Sequence, residues 1–367
     1  MASADTTGQR TSRVTLQHIA ERLSISPATV SRALSGRTGV SEAMRSKVQR
    51  LAKTLGYETN RPRRSTHAAR SLPVAFVSQP MRPNDIFYPP ILGSFQRAMQ
   101  VQGIPVMLVT QSEPGVDQAG DPLEALIERT WLRGSVFAGP RVPDAVIRNA
   151  IGHGYPVVLV DNLLRDVDCQ AVVPDNAHGT YTLTQHLIAH GARNLSYVGG
   201  PTDWYSTRER LMGFLNALHE SGLQPHSVIH QPVTDMNGGL SAGTALLRGP
   251  GQPDAIVAVN DAVALGVLEA ARHQGRSVPD SLLVCGFDDT QLARLSAPPL
   301  SSCRIDLELL GSVAAERMLA ALRHPEQWVP QHIVVPVRPV FRQSCGCSDR
   351  VAAEDSAPAG AGCAEVT

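Results

Sequence analysis

Residues 14–34 read VTLQHIAERLSISPATVSRAL, and this stretch decides the front of the fold. Ile19, Ala20 and Leu23 recur at helical spacing after Thr15, a residue suited to cap a helix over 16–23. Ser24-Ile25-Ser26 breaks the pattern. Pro27 then suits the first turn of a second short helix, which runs through Leu34 to a stop at Gly36. Ser41 can cap a third helix carrying Val48, Leu51, Ala52 and Leu55, stopped by Gly56. Two short helices with a tight turn, packed by a third, make a helix-turn-helix headpiece.

Charge sets this headpiece apart. Residues 1–71 hold 13 Lys and Arg against 4 Asp and Glu, whereas the rest of the chain holds 20 against 29. The formal net charge of zero therefore conceals a basic front and an acidic body, a division that suits a polyanion touched by the front alone. No stretch approaches the roughly 20 apolar residues that a membrane helix needs. Met1 to Arg13 is polar and lacks the apolar core of an export signal, so the expected compartment is the cytoplasm.

Beyond a basic, Pro-containing linker (residues 59–72), apolar strand-like runs alternate with helical patterns. The runs are 74–77, 106–109, 136–138 and 157–160, then 195–198, 255–259 and 283–286; one of the intervening helices falls near 123–129. Such alternation reads as parallel α/β sheets, whose ligands sit outside the carboxyl ends of strands. The polar residues at those ends are Asn260-Asp261, Asp288-Asp289, Arg208 and Arg210, with Trp204 placed to offer an aromatic face. Mixed donors and acceptors beside an aromatic suit an uncharged sugar. Asp261 and Asp289 read rather as helix caps.

Several features point away from other chemistry. Gly239-Leu240-Ser241-Ala242-Gly243 fits a nucleophile-elbow pattern, but it follows a turn and reads as a helix start. No Gly-x-Gly-x-x-Gly, phosphate loop or credible triad appears, so neither an enzyme nor a cofactor is expected. A sugar-binding protein of a transport system would fit the body, but not residues 14–57. The six cysteines (Cys169, Cys285, Cys303, Cys345, Cys347, Cys363) lack disulfide-framework spacing and are expected to stay reduced. Cys345 and Cys347 alone do not complete a zinc site, and His186 and His190, one helical turn apart, show no third ligand in the sequence. No metal is expected.

Val14-Thr15-Leu16, Ile19-Ala20, Ser26, Thr29 to Leu34, Val40-Ser41, Lys47-Val48, Leu55-Gly56-Tyr57 and Asn60 together resemble the headpiece of the lactose-repressor (LacI/GalR-type) family. The strings 197–201, 208–214, 259–261 and 284–290 resemble its effector domain, so the likeness runs from about Val14 to Cys345. His18 departs from the family's usual acidic residue, and Leu23-Ser24-Ile25 from its Ala-Gly-Val. The resemblance implies an all-α helix-turn-helix headpiece (14–58) followed by a two-lobed α/β domain like a periplasmic binding protein (73–345). Its lobes would be 73–190 with 305–335, and 191–303 with 336–345, crossing near Gly191, Cys303 and Val335. Residues 1–13 and 346–367 are expected to be disordered.

The implied function is a transcription regulator, expected to be a repressor, that binds a near-palindromic operator as a homodimer and answers to a sugar-like effector. The second helix would enter the major groove, with Pro27 and Ala28 making apolar contact and Arg32 reading a guanine. Ser26, Thr29, Ser31 and Ser41 would meet phosphates, with Thr15, Tyr57 and Asn60 also at the DNA. Arg210, Asn260 and Asp288 match the family's polar effector contacts, Phe87 a wall of the cleft, and Asp175 a further contact; Trp204 joins them by its chemistry.

In the family the linker folds into a hinge helix that wedges a leucine into the minor groove. Here Thr66 stands at that position, and a charged tether gripping phosphates is the alternative. Thr66→Leu should therefore increase operator bending, read by circular-permutation gel shift. A strong bend already present with Thr66 would count against this.

Overall fold

A computed structural model describes residues 16–23, 25–26, 29–30, 33, 41–55, 72–79, 86–110, 132–152, 156–164, 167–325 and 329–347. The chain divides into two compact units, Met1–Ala69 and Arg70–Thr367. Among the described residues no helix is long and apolar enough to cross a membrane.

In the first unit α1 (Leu16–Leu23) and α2 (Glu42–Thr54) bracket a helical segment that includes Thr29, Val30 and Ala33. Ile19, Ala20, Val30, Ala33, Val48 and Ala52 form its small core. The caps follow side-chain chemistry: the Ser26 hydroxyl accepts from the Thr29 amide at 3.1 Å, and that of Ser41 from the Met44 amide at 3.4 Å. Thr15, Pro27, Ala28, Ser31, Arg32, Tyr57 and Asn60 lie outside the described residues, as do residues 59–71, the helix read near 123–129 and the ends 1–15 and 348–367.

The second unit holds two parallel sheets. The first contains β1 (Val74–Ser78), β2 (Val106–Thr110), β3 (Gly134–Ala138), β4 (Val157–Val160), β5 (Gln170–Pro174) and β11 (His332–Val335), in the order β11-β5-β4-β3-β1-β2. β1, β3, β4 and β5 are buried throughout, as expected of parallel strands covered on both faces. One face packs against α3 (Tyr88–Val101) and α10 (Leu307–Arg323), the other against α4 (Asp144–Gly152). The second sheet runs β7-β6-β8-β9, built from β6 (Leu195–Gly199), β7 (Ser227–His230), β8 (Ala255–Ala258) and β9 (Leu283–Cys285). Around it stand α5 (Asn176–Ala189), α6 (Tyr205–Glu220), α7 (Met236–Arg248), α8 (Asp261–His273) and α9 (Gln291–Leu295). β10 (Ser302–Ile305) and β12 (Val337–Val340) pair antiparallel beside it.

The strands read from the sequence fall within a residue or two of these limits. The Gly239–Gly243 string lies inside α7. The first crossover differs: it falls at Asp175, between β5 and α5, rather than near Gly191. Helix α5 packs on α6 and on the β10–β12 pair, so it belongs to the second lobe. The second crossover lies at Asp306, where β10 gives way to α10 on the first lobe, and the third at Pro336, between β11 and β12. His186 and His190, which show no third ligand along the sequence, have cysteines beside them in the fold. The 3-10 turn Gln343–Cys345 ends against α5 and brings Cys345 to His186, and Cys347 to both His186 and His190, across 157 to 161 residues of chain.

Helices α7 and α8 cross on glycine. A Cβ at Gly266 would lie 2.1 Å from the Met236 carbonyl oxygen and 2.5 Å from the Leu240 nitrogen, both backbone atoms that cannot rotate aside. Gly266→Ala should therefore cost about 1–3 kcal/mol or more, as overpacking does. Gly152→Ala, at a position with no heavy atom within 4 Å, is the matched control and should be neutral or mildly stabilising. Urea unfolding of both variants checks the contrast; equal effects would refute it.

Candidate effector cleft

The two lobes face each other across a cleft with two adjoining compartments of about 950 and 170 Å³. Phe87, Thr234, Asn260 and Asp288 line both. Asp161 follows β4, Asn260 lies just beyond β8 and Asp288 beyond β9, so the polar groups gather where parallel sheets leave their carboxyl ends open.

Arg210 organises the inner compartment. Helix α6 carries it into the interior, where Nε donates to Asn176 Oδ1 at 2.7 Å and Nη1 to the Val259 carbonyl at 2.6 Å. Its guanidinium lies 3.9 Å from the Phe287 ring centroid. Nη2 stands 3.2 Å from Asp288 Oδ1 without the alignment of a hydrogen bond, and this oxygen accepts none within the described protein. Asp161 Oδ1 and Thr207 Oγ1, on the same compartment, are likewise buried with no protein hydrogen-bond partner. Buried polar atoms of this kind cost about 1–3 kcal/mol each when unmatched, so the two without a partner, beside an Asp288 oxygen met only by the Arg210 charge, favour a ligand rich in hydroxyls.

Burial drives the carboxylates toward their neutral form. It raises Asp161 to about 6, against the opposing pull of Arg210 and the Tyr88 hydroxyl, which lies 3.5 Å from Oδ2. Burial likewise raises Asp288; Arg210 opposes this and Asp161 adds to it. Asp261 is raised by burial and by Asp288, while hydrogen bonds from Ser302 and the Thr290 amide hold it back.

The residues expected to contact an effector divide. Phe87, Trp204, Arg210, Asn260 and Asp288 line the cleft. The Trp204 ring is approached by the Arg141 guanidinium at 5.5 Å, a cation–π contact from the opposite lobe. Asn260 is partly committed: it caps α8, accepting from the Val263 amide at 2.9 Å and donating to the Thr234 carbonyl at 3.2 Å. Asp175 lines neither compartment; its Oδ1 caps α5 through the His178 amide at 3.2 Å. Asp261 is not a cap but the first residue of α8, accepting from Thr290 and Ser302. Asp289 is not a cap either: buried, it pairs with Arg294 at 3.0 Å, Arg304 at 2.7 Å and Arg342 at 2.6 Å. Sequence reasoning missed Asp161 and Thr207. Asp161 had a usable signal, a lone carboxylate directly after the apolar run 157–160.

Residues 15–60 match the family described as bacterial regulatory proteins, lacI family, and residues 184–345 a periplasmic binding protein-like domain. The chain is 30% identical over 315 residues to the HTH-type transcriptional regulator reg1 of Streptomyces lividans, covering 83% of this chain and 89% of that one. It is 27% identical over 316 residues to the ribose operon repressor of Haemophilus influenzae, covering 85% and 93%. A solved complex of the transcriptional regulator CelR with cellobiose superposes with a TM-score of 0.67 at 28% identity, covering 90% of this chain and all of that one.

The raised Asp161 carries a pH signature. Its unfolded value is 3.8 and its folded value about 6, so its stability contribution is full below about pH 4 and lost as pH rises through 6. Asp161→Asn removes this loss, so its stability relative to the parent should rise between about pH 4.5, already inside the transition, and about pH 7.5, beyond it, by about 1–3 kcal/mol. Urea melts at the two values test it; a relative stability that stays flat or falls with pH would contradict the assignment.

Proposed function

The chain belongs to the lacI family of bacterial regulatory proteins, and from that premise we propose that its cleft binds a small, uncharged, polyhydroxylated effector of the sugar class. It is a helix-turn-helix transcription regulator and not an enzyme. Within the proposal it acts in the cytoplasm as a homodimeric repressor on a near-palindromic operator, because two-fold protein symmetry is mirrored in paired half-sites.

The observation that carries the effector class is the set of three buried oxygens, on Asp161, Thr207 and Asp288, around one compartment. Carboxylate oxygens that accept no hydrogen bond from the protein suit hydroxyl donors and would repel an anion. Arg210 is already engaged by Asn176, Val259 and Asp288, so its positive charge is not free to seek an acidic ligand. Phe87 and Trp204 supply apolar faces from opposite lobes, the other half of what a sugar ring requires. The cellobiose held by CelR and the ribose operon of the H. influenzae repressor support the same class for this chain.

Regulation follows from linkage. An effector alters operator occupancy only if it binds the DNA-competent and incompetent states with different affinity. Removing the effector contact and removing the base contact should therefore separate cleanly. Asp288→Asn should weaken effector binding about ten- to hundredfold, because hydrogen bonds to charged groups are worth about 1.5–3 kcal/mol, and should leave effector-free operator affinity intact. Calorimetry against a panel of mono- and disaccharides, with operator anisotropy alongside, tests this. Unchanged effector affinity would place the site elsewhere. Arg32→Ala should do the converse, costing about 1–3 kcal/mol on the best operator and relaxing one base per half-site. Equal loss on random DNA would make Arg32 a phosphate contact only.

A further inference from the structure

Away from the cleft, four ligand-bearing side chains converge. His186 and His190 are spaced four residues apart at the end of α5, so their rings share one face. Cys345 and Cys347 flank Gly346 in the turn that closes the second lobe. His186 Nε2 lies 3.3 Å from Cys345 Sγ and 3.3 Å from Cys347 Sγ, and His190 Nε2 lies 3.8 Å from Cys347 Sγ. The ligand atoms of His186, His190 and Cys347 all fall within 4.8 Å of one another. Tetrahedral zinc, at about 2.3 Å to sulfur and about 2.0–2.1 Å to nitrogen, requires N···S edges of about 3.5 Å. The three measured edges sit within about 0.3 Å of that requirement.

We propose that His186, His190 and Cys347, joined by Cys345 once its thiol turns from the Arg342 carbonyl it meets at 3.2 Å, form a Cys2His2 site for Zn2+ that fastens the closing turn of the effector domain to α5. The turn is shaped for it. Gly346 has φ +88°, a left-handed conformation that favours glycine, and a Cβ there would lie 3.2 Å from His190 Nδ1. The His186 ring is held in plane by stacking on Phe341, with centroids 3.7 Å apart and planes 14° from parallel. Binding needs no oxidant: two S–H bonds give way to two Zn–S bonds, and two protons pass to solvent while the imidazoles contribute lone pairs.

The test uses the full chain, stripped with chelator and kept reduced with a phosphine. Titration with Co2+ should give one equivalent bound, with the visible bands of tetrahedral cobalt and a thiolate charge-transfer band, both abolished by stoichiometric Zn2+. About two protons per metal should appear in weakly buffered solution. Cys347→Ser and His190→Gln, at the less buried positions, should each weaken Co2+ binding by more than the ten- to hundredfold that loss of an outer-shell partner costs. Metal-free circular dichroism and melting of these variants should match the parent. Absence of tetrahedral bands in the fully reduced protein would overturn the proposal, as would binding indifferent to both substitutions.

Discussion

A guanidinium almost sealed from water must find its partners inside the protein, and the effector domain is arranged around that requirement at Arg210. Its donors reach the start of α5 and the residue after β8, and its charge pairs with the loop after β9, three points that are far apart in sequence. Each partner is thereby held at the floor of the cleft. Removing one member would leave a charge buried without compensation, which is why such groups fix geometry more than they add stability. Asp288 is the member whose oxygen is not fully used, so positioning and recognition meet on one carboxylate.

Asp289, its neighbour, has the opposite character. Both residues take left-handed backbone angles, φ 104° and 52°, which aspartate tolerates better than most residues. One consecutive pair of carboxylates can therefore point two ways. Asp288 turns toward the cleft, while Asp289 turns into a cluster of three arginines drawn from α9, β10 and the stretch before the closing turn. The arginines tie the second lobe to the strands that carry the chain across to the first. A rigid anchor beside a ligand-facing carboxylate is a physical means of transmitting what the cleft holds to the segments between the lobes.

Much of this is legible in the residues. Alternating apolar runs announce the parallel sheets, and the polar residues immediately after them, Asn260 and Asp288, do line the cleft. Sequence falls short where partners, rather than patterns, decide a role. Asp175, Asp261 and Asp289 all stand near helix starts, and sequence cannot say which carboxylate will accept from a backbone amide and which from an arginine. Helix α5 reads as part of the first lobe because an apolar stripe does not name the sheet it will cover. The two histidines and two cysteines look unrelated along the chain; only the packing of the closing turn on α5 unites them.

The three crossings between lobes also bear on how the molecule comes into being. The first sheet receives an edge strand, β11, from residues 332–335, and one of its covering helices, α10, from residues 307–323. Emerging from a ribosome, the first lobe would therefore remain without its last strand until nearly all of the second had been synthesised. Neither lobe is a contiguous piece of chain. A messenger truncated before β11 would therefore encode the cleft residues on two lobes that each lack a strand, β11 from the first sheet and β12 from the pair beside the second.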